Sequence, residues 1–317
     1  MNFKAGSSAA LTLLCATMPA HAQDADTSYV SAMNYVSLDG QLDNADSSQA
    51  SLTGSMALGN YTWLQGTLGT LTDGADSGLG DLSDYGVGFG VSGEHLQFSL
   101  NADQFKNDAA YTQRDVNVSL SWIDTQFSAG LDAFHRKSED SASTTDTYNT
   151  LTVNTMAEQT LTGTGIGAHG SVNLTDQFSV SFGGMSYHYS QHTSLTSNVD
   201  SSEYPLLAQY LENRRNALLA NLAQRINRLS VGQVTRSITP LDNTYRIGAS
   251  YWFDAASLSM QYLHDTLLDS SSHTDTLNLS TSFFIGDHWL LAPSVGVANN
   301  SDIGSTHFGG LSLSYNW

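Results

Sequence analysis

Stretches in which apolar and small polar side chains alternate recur along most of this chain, and they limit its fold more than any other feature. Tyr85, Val87, Phe89 and Val91 alternate with Gly86, Gly88, Gly90 and Ser92; Phe98 and Leu100 alternate with Gln97, Ser99 and Asn101. The same rhythm runs through residues 116–122, 127–133, 245–253 and 277–285. A period of two sends successive side chains to opposite faces, so each stretch reads as a strand with one greasy and one wet face.

Short turns at Gly59-Asn60, Gly93-Glu94, Asp124-Thr125, Thr175-Asp176, Asp254-Ala255 and Gly286-Asp287 alternate with longer polar links at 39–49, 72–83, 106–112, 137–159, 191–243, 266–274 and 299–305. Six turns and seven links join fourteen strands, or twelve if one pair is misassigned. This is the pattern of an all-β, closed antiparallel transmembrane β-barrel with short turns at one end and long loops at the other. A soluble sandwich would carry many Lys and Glu on its wet face. Here that face is Ser, Gly, Asn, Thr and Gln, in a chain only 13% charged. Strands of ~10 residues, tilted, match ~30 Å of hydrocarbon, and lipid leaves no place for an open sheet edge. Four places fit less well. Residues 28–38 offer apolar side chains to both faces, and Trp63 and Leu64 fall on opposite faces. Pro293 removes a ladder donor. The aromatic parity changes between Phe182 and Tyr187, which predicts a bulge at Gly183-Gly184.

Residues 1–22 read as a signal peptide: a basic Lys4, a weakly apolar run, then Ala20-His21-Ala22 as the cleavage site. The barrel proper is then 23–317. Leu14 before Cys15 argues against a lipoprotein. Cleavage removes the one Cys, so no disulfide framework is available. With Lys4 gone from the 11 basic residues, 10 face 30 acids, a net charge of −20. That excludes nucleic acid as a partner.

The chain ends on Gly310, Leu311, Leu313, Tyr315 and Trp317, with small polar residues between. Strand fourteen must close on strand one, which explains an ending without a tail. The stretch resembles the C-terminal β-signal of Gram-negative outer-membrane β-barrel proteins, a porin-like class, in which a Gly precedes alternating apolar residues and a terminal aromatic. That resemblance implies recognition by the barrel assembly machinery and residence in the bacterial outer membrane. Most such proteins end in Phe, and Trp is a variant.

One link differs. Residues 195–242 lose the alternation and read as a helical insertion in one extracellular loop. Ser202 and Pro205 open it, Leu207, Leu211, Leu218, Leu222 and Leu229 form a stripe at helical period, and Gly232 can end it. It is either continuous or a hairpin broken near Asn213. It holds Arg214, Arg215, Arg225, Arg228 and Arg236 against four acids, whereas the rest of the mature chain has five basic residues and 26 acids. Three placements are open: a cap on the rim, a segment dipping into the lumen, or an amphipathic element against lipopolysaccharide phosphates. In the lumen, Arg214, Arg215, Arg225 and Arg228, with Arg246 on the next strand, would gate the bore or hold an anionic group.

Asp39, Asp43, Asp46, Asp73, Asp76, Asp81 and Asp84 read as solvated loop acids, and TDGADSGLGD lacks the full spacing of a calcium loop. His188 and His192 lie on one strand face ~13 Å apart, too far to share a metal. No metal, cofactor or catalytic residue is assigned, since no H-E-x-x-H or G-x-S-x-G is present. The function expected is a channel for small polar solutes or saccharides, embedded in outer-membrane lipid and lipopolysaccharide. The alternatives are a non-conducting surface protein, a barrel for polysaccharide export or binding, and an outer-membrane enzyme.

Overall fold

The computed structural model describes residues 34–72, 80–107, 110–148, 151–197, 216–218, 238–268, 272–302 and 304–317. The signal peptide expected at 1–22 and most of the insertion lie outside them. Fourteen antiparallel strands close into one barrel: β1 (Tyr35–Asp43), β2 (Ser48–Ala57), β3 (Thr62–Thr72), β4 (Asp81–Ser92), β5 (Leu96–Lys106), β6 (Thr112–Ile123), β7 (Phe127–Tyr148), β8 (Leu151–Thr175), β9 (Phe178–Ser197), β10 (Leu241–Trp252), β11 (Ala256–Leu267), β12 (His273–Ile285), β13 (Trp289–Asn300) and β14 (Gly304–Asn316). Each pairs with its chain neighbours, and β1 pairs with β14 from Tyr35↔Asn316 to Asp43↔Phe308.

The alternation sorts side chains as a bilayer demands. Val87, Leu131 and Ile166 point outward and are 65%, 67% and 76% exposed. Their strand neighbours Gly86, Asp132 and Gly165 point inward and are buried. Aromatic rings gather at the short-turn end, where amphipathic rings favour the water–lipid boundary. Trp289 packs on Tyr315 at 4.8 Å, Tyr315 stacks on Trp317 at 6.1 Å, and His95 stacks on Trp122 at 5.0 Å. Across the inner face, hydroxyls pair between strands: Ser128 with Ser171 at 2.8 Å, Ser250 with Ser259 at 2.8 Å, and Thr53 with Thr67 at 3.1 Å.

Several sequence-based boundaries move. The link expected at 137–159 is the top of a long hairpin, because β7 and β8 stay paired from Phe127↔Val172 to Tyr148↔Leu151. Ser, Thr and Asp on both faces mark strand above the hydrocarbon, where alternation loses its cause. The first strand is Tyr35–Asp43 rather than 28–38, and the link after it shrinks from 39–49 to 44–47. There Asp43 accepts the amides of Ala45 and Ser47 at 2.9 Å. No bulge occurs at Gly183-Gly184: the β8–β9 register is continuous there. Phe182 faces out and Tyr187 faces in, each serving its own face. At Pro293 the β12–β13 pairing lapses between Ser280↔Ser294 and Phe283↔Leu291, as a residue without N–H requires.

β7, β8 and β9 run 22, 25 and 20 residues, against 9 to 13 elsewhere. They rise above the long-link end as a flap. Leu218, in a helical turn at 216–218, is buried against Ala157 of β8, with Ala142 of β7 and Leu195 of β9 beside it. Ala157 shares the inward face of His169, so this piece of the insertion lies on the bore side of the flap.

Candidate functional site on the inner wall

Two polar networks line the bore side of β4–β10. The upper one lies at the long-link end. Asp115 and Arg136 sit opposite each other on β6 and β7. Arg136 clamps Asp115 through Nε at 2.9 Å and Nη2 at 2.6 Å, and both side chains are buried. Its Nη1 donates to the carbonyl of Thr239 at 2.9 Å. Tyr111 donates to Gln113 at 2.7 Å, and Gln113 donates to Asp115 at 2.9 Å. Burial pushes the Tyr111 phenol up from its ordinary range, so it stays a donor. Above this network Ile238 packs with Leu71, Leu82, Phe105 and Tyr111, from β3, β4, β5 and the 107–111 link. Two residues later the Pro240 carbonyl accepts from Leu268, beyond β11. Residues 238–240 therefore cross the mouth from the β10–β11 side to the β3–β7 side.

The same wall is acidic. Asp84 of β4, Asp103 of β5 and Asp115 of β6 all point inward. Asp84 is 1% exposed, and among the described residues neither of its oxygens has a hydrogen-bond partner. Asp84 and Asp39, expected as solvated loop acids, are thus bore-wall residues. The strands carrying them extend further toward the loops than the apolar rhythm shows.

The lower network follows one rung of the sheet. Register places Gln97 (β5), Ser121 (β6), Gly130 (β7), His169 (β8), Gly183 (β9) and Arg246 (β10) side by side, all inward. His169 lies flat across Gly130 and meets Ser121 Oγ with Nε2 at 2.9 Å. Its Nδ1 meets Asp132 Oδ2 at 2.8 Å. A Cβ at Gly130 would fall on the His169 ring and within 2.7 Å of Ser121 Oγ, so only glycine leaves the passage open. Gly183 clears a similar path for Arg246, whose Nε would stand 2.6 Å from a Cβ there. Asp132 stands opposite Ser119 in the β6–β7 register and lies in the field of Arg246.

Most of the gaps over inner-wall glycines are occupied: Trp63 covers Gly90, Tyr189 covers Gly163, and Phe308 covers Gly296. The bore is paved with flat side chains. Of the expected lumen arginines, Arg246 is on the inner wall, while Arg214, Arg215, Arg225 and Arg228 lie outside the described residues. Of the C-terminal signal residues, Leu311, Leu313 and Trp317 face outward and Gly310 inward. Sequence reasoning missed Ser121, Asp132 and Arg136. Their signal was a His or Arg on a strand opposite a glycine or an acid, legible only once register is known. His188 and His192 point outward from β9. His264, also outward, pairs with Asp275 at 2.7 Å near the long-link rim.

Neither a family model nor a curated protein matches the chain. Among solved structures it is similar to the CymD monoaromatic hydrocarbon channel, at 11% identity and TM-score 0.52, over 90% of this chain and 88% of that one. It is also similar to a KdgM porin in complex with disordered oligogalacturonate (10%, TM-score 0.44, 89% and 99%) and to OccK10 of Pseudomonas aeruginosa (8%, TM-score 0.40, 90% and 98%). Closure, strand count, face polarity and this likeness in fold agree: the chain is an outer-membrane-type β-barrel.

Proposed function

We propose that this protein is a channel of the bacterial outer membrane for small polar solutes, saccharides among them. The observation that carries the reading is the inner wall: a closed sheet whose outer face is apolar and whose bore face sets hydroxyls, amides and carboxylates among its aromatic and aliphatic side chains. A barrel of eight strands fills with side chains and one of sixteen holds open water, and fourteen stands near the open case. With 30 acidic against 11 basic residues, the chain favours cations at the mouth. The outer face contacts lipid and lipopolysaccharide, and Gly310, Leu311, Leu313, Tyr315 and Trp317 present the chain to the assembly machinery.

The insertion is the narrowing element in this proposal, held at Thr239 by Arg136 and at Ile238 by the apolar cluster. The tall β7–β9 flap speaks for a second reading, a surface-binding barrel closed at its mouth. Planar-bilayer recordings separate the two. The full-length mature protein should show unitary currents, and replacing 199–237 by a short Gly–Ser link should raise the conductance several-fold. Currents from the deletion alone would make the insertion a plug. Silence from both would leave the binding barrel.

A further inference from the structure

We infer that Ser121 is a nucleophilic serine on the bore wall, activated by His169 and suited to cleaving a carboxylic ester small enough to enter the barrel. With Asp132 accepting from Nδ1–H at 2.8 Å, the imidazole holds its lone pair on Nε2, which faces the Ser121 hydroxyl at 2.9 Å. That is the relation of nucleophile, base and orienting carboxylate that acyl transfer needs. Ser128 and Ser171, one rung away, merely share a hydroxyl pair.

Three features mark this arrangement off from ordinary bore polarity. His169 and Asp132 are buried, with side chains 8% and 7% exposed, while Ser121 remains partly open to the bore. The base is screened and the nucleophile is presented. Gly130 keeps β7 bare between Ser121 and His169, so three strands cooperate in one contact. Asp132 also lies in the field of Arg246, a cation beside the carboxylate that orients the ring.

In the step, Ser121 Oγ bonds to the ester carbonyl carbon as its proton passes to His169 Nε2, and the carbonyl electron pair moves onto oxygen. Collapse breaks the bond to the alcohol, which leaves with the proton from Nε2. Water then attacks the acyl-serine by the same route, giving a carboxylic acid and restoring Ser121. Gln97, beside Ser121 on the rung, is the side-chain amide that register offers to the oxyanion. Arg246 adds positive charge on the opposite flank, which favours an ester whose acyl or alcohol part is anionic.

This inference does not rest on conduction, because labelling needs no current. Refolded mature protein, shown to be native by resistance to trypsin, is treated with a fluorophosphonate probe and digested for peptide mapping. Ser121 should carry the label. Ser121→Ala should carry none, and His169→Gln should react ~10²–10⁴-fold more slowly, the range for loss of a general base. Asp132→Asn, a change at a positioning residue, should slow labelling of Ser121 in protein that stays trypsin-resistant, and Asp132→Glu should restore part of the rate, a rescue that a purely structural role would not give. An unlabelled native protein, a label on other serines alone, or labelling of Ser121 undiminished in His169→Gln would overturn the inference.

Discussion

Among the described residues the inner wall holds two buried acid–base pairs, Asp115–Arg136 and Asp132–His169, and their difference separates structure from chemistry. Both lie on adjacent strands, and their β7 members are four residues apart, ~13 Å along the strand. Arg136 is permanently charged, and its guanidinium bonds Asp115 twice and a backbone carbonyl once. Such a group fixes a shape. His169 spends one nitrogen on Asp132 and aims the other at a hydroxyl. The upper pair ties the insertion to the wall; the lower pair leaves a reactive group facing the bore.

The severest test of the upper pair is Arg136→Met. It strands Asp115 beside Asp103 and Asp84 without the cation that clamps it, and removing one partner of a buried pair costs ~3–5 kcal/mol. Urea unfolding in lipid vesicles should show that loss, while fluorophosphonate labelling of Ser121 in the still-folded fraction should persist. If labelling falls as well, the networks are one unit and the contrast fails. Ile238→Ala follows in size. It empties a site that is 1% exposed among Leu71, Leu82, Phe105 and Tyr111, for ~2–5 kcal/mol. Bilayer recordings should then show a mouth that opens more often.

Much of this was legible beforehand. The alternation yields the barrel, the strand count and the outward faces because lipid on one side and water on the other impose a period of two. It fades where that contrast fades. The flap at 137–159 looks like a link because both of its faces are wet, and β1 was set several residues early because neither parity there is clean. Asp84 hid among loop acids, since a carboxylate in a water-facing wall and one in a loop are the same letter. The lower network was invisible for another reason. Ser121, Asp132 and His169 come from three strands, and only the register Ser121↔Gly130↔His169 brings them together.

Gly130→Ala probes the lower pair with one carbon. The added Cβ lies where the His169 ring passes, and the ring cannot remain. Overpacking of this kind costs ~1–3 kcal/mol, less than either change above, yet labelling of Ser121 should fall as far as in His169→Gln. A full label in folded Gly130→Ala would mean that the passage is not needed.

The smallest effect sharpens the contrast in pH. Tyr111 lies outside the strands, and burial raises its phenol above the ordinary value near 10. A pKa raised on folding means that the folded state holds its proton more tightly. Stability from the neutral phenol is therefore complete below ~10 and is lost only as pH climbs toward the raised value. Tyr111→Phe forfeits its bond to Gln113, ~0.5–1.5 kcal/mol, and forfeits the alkaline loss as well. Unfolding midpoints should thus favour the wild type at neutral pH, with the gap closing in alkali.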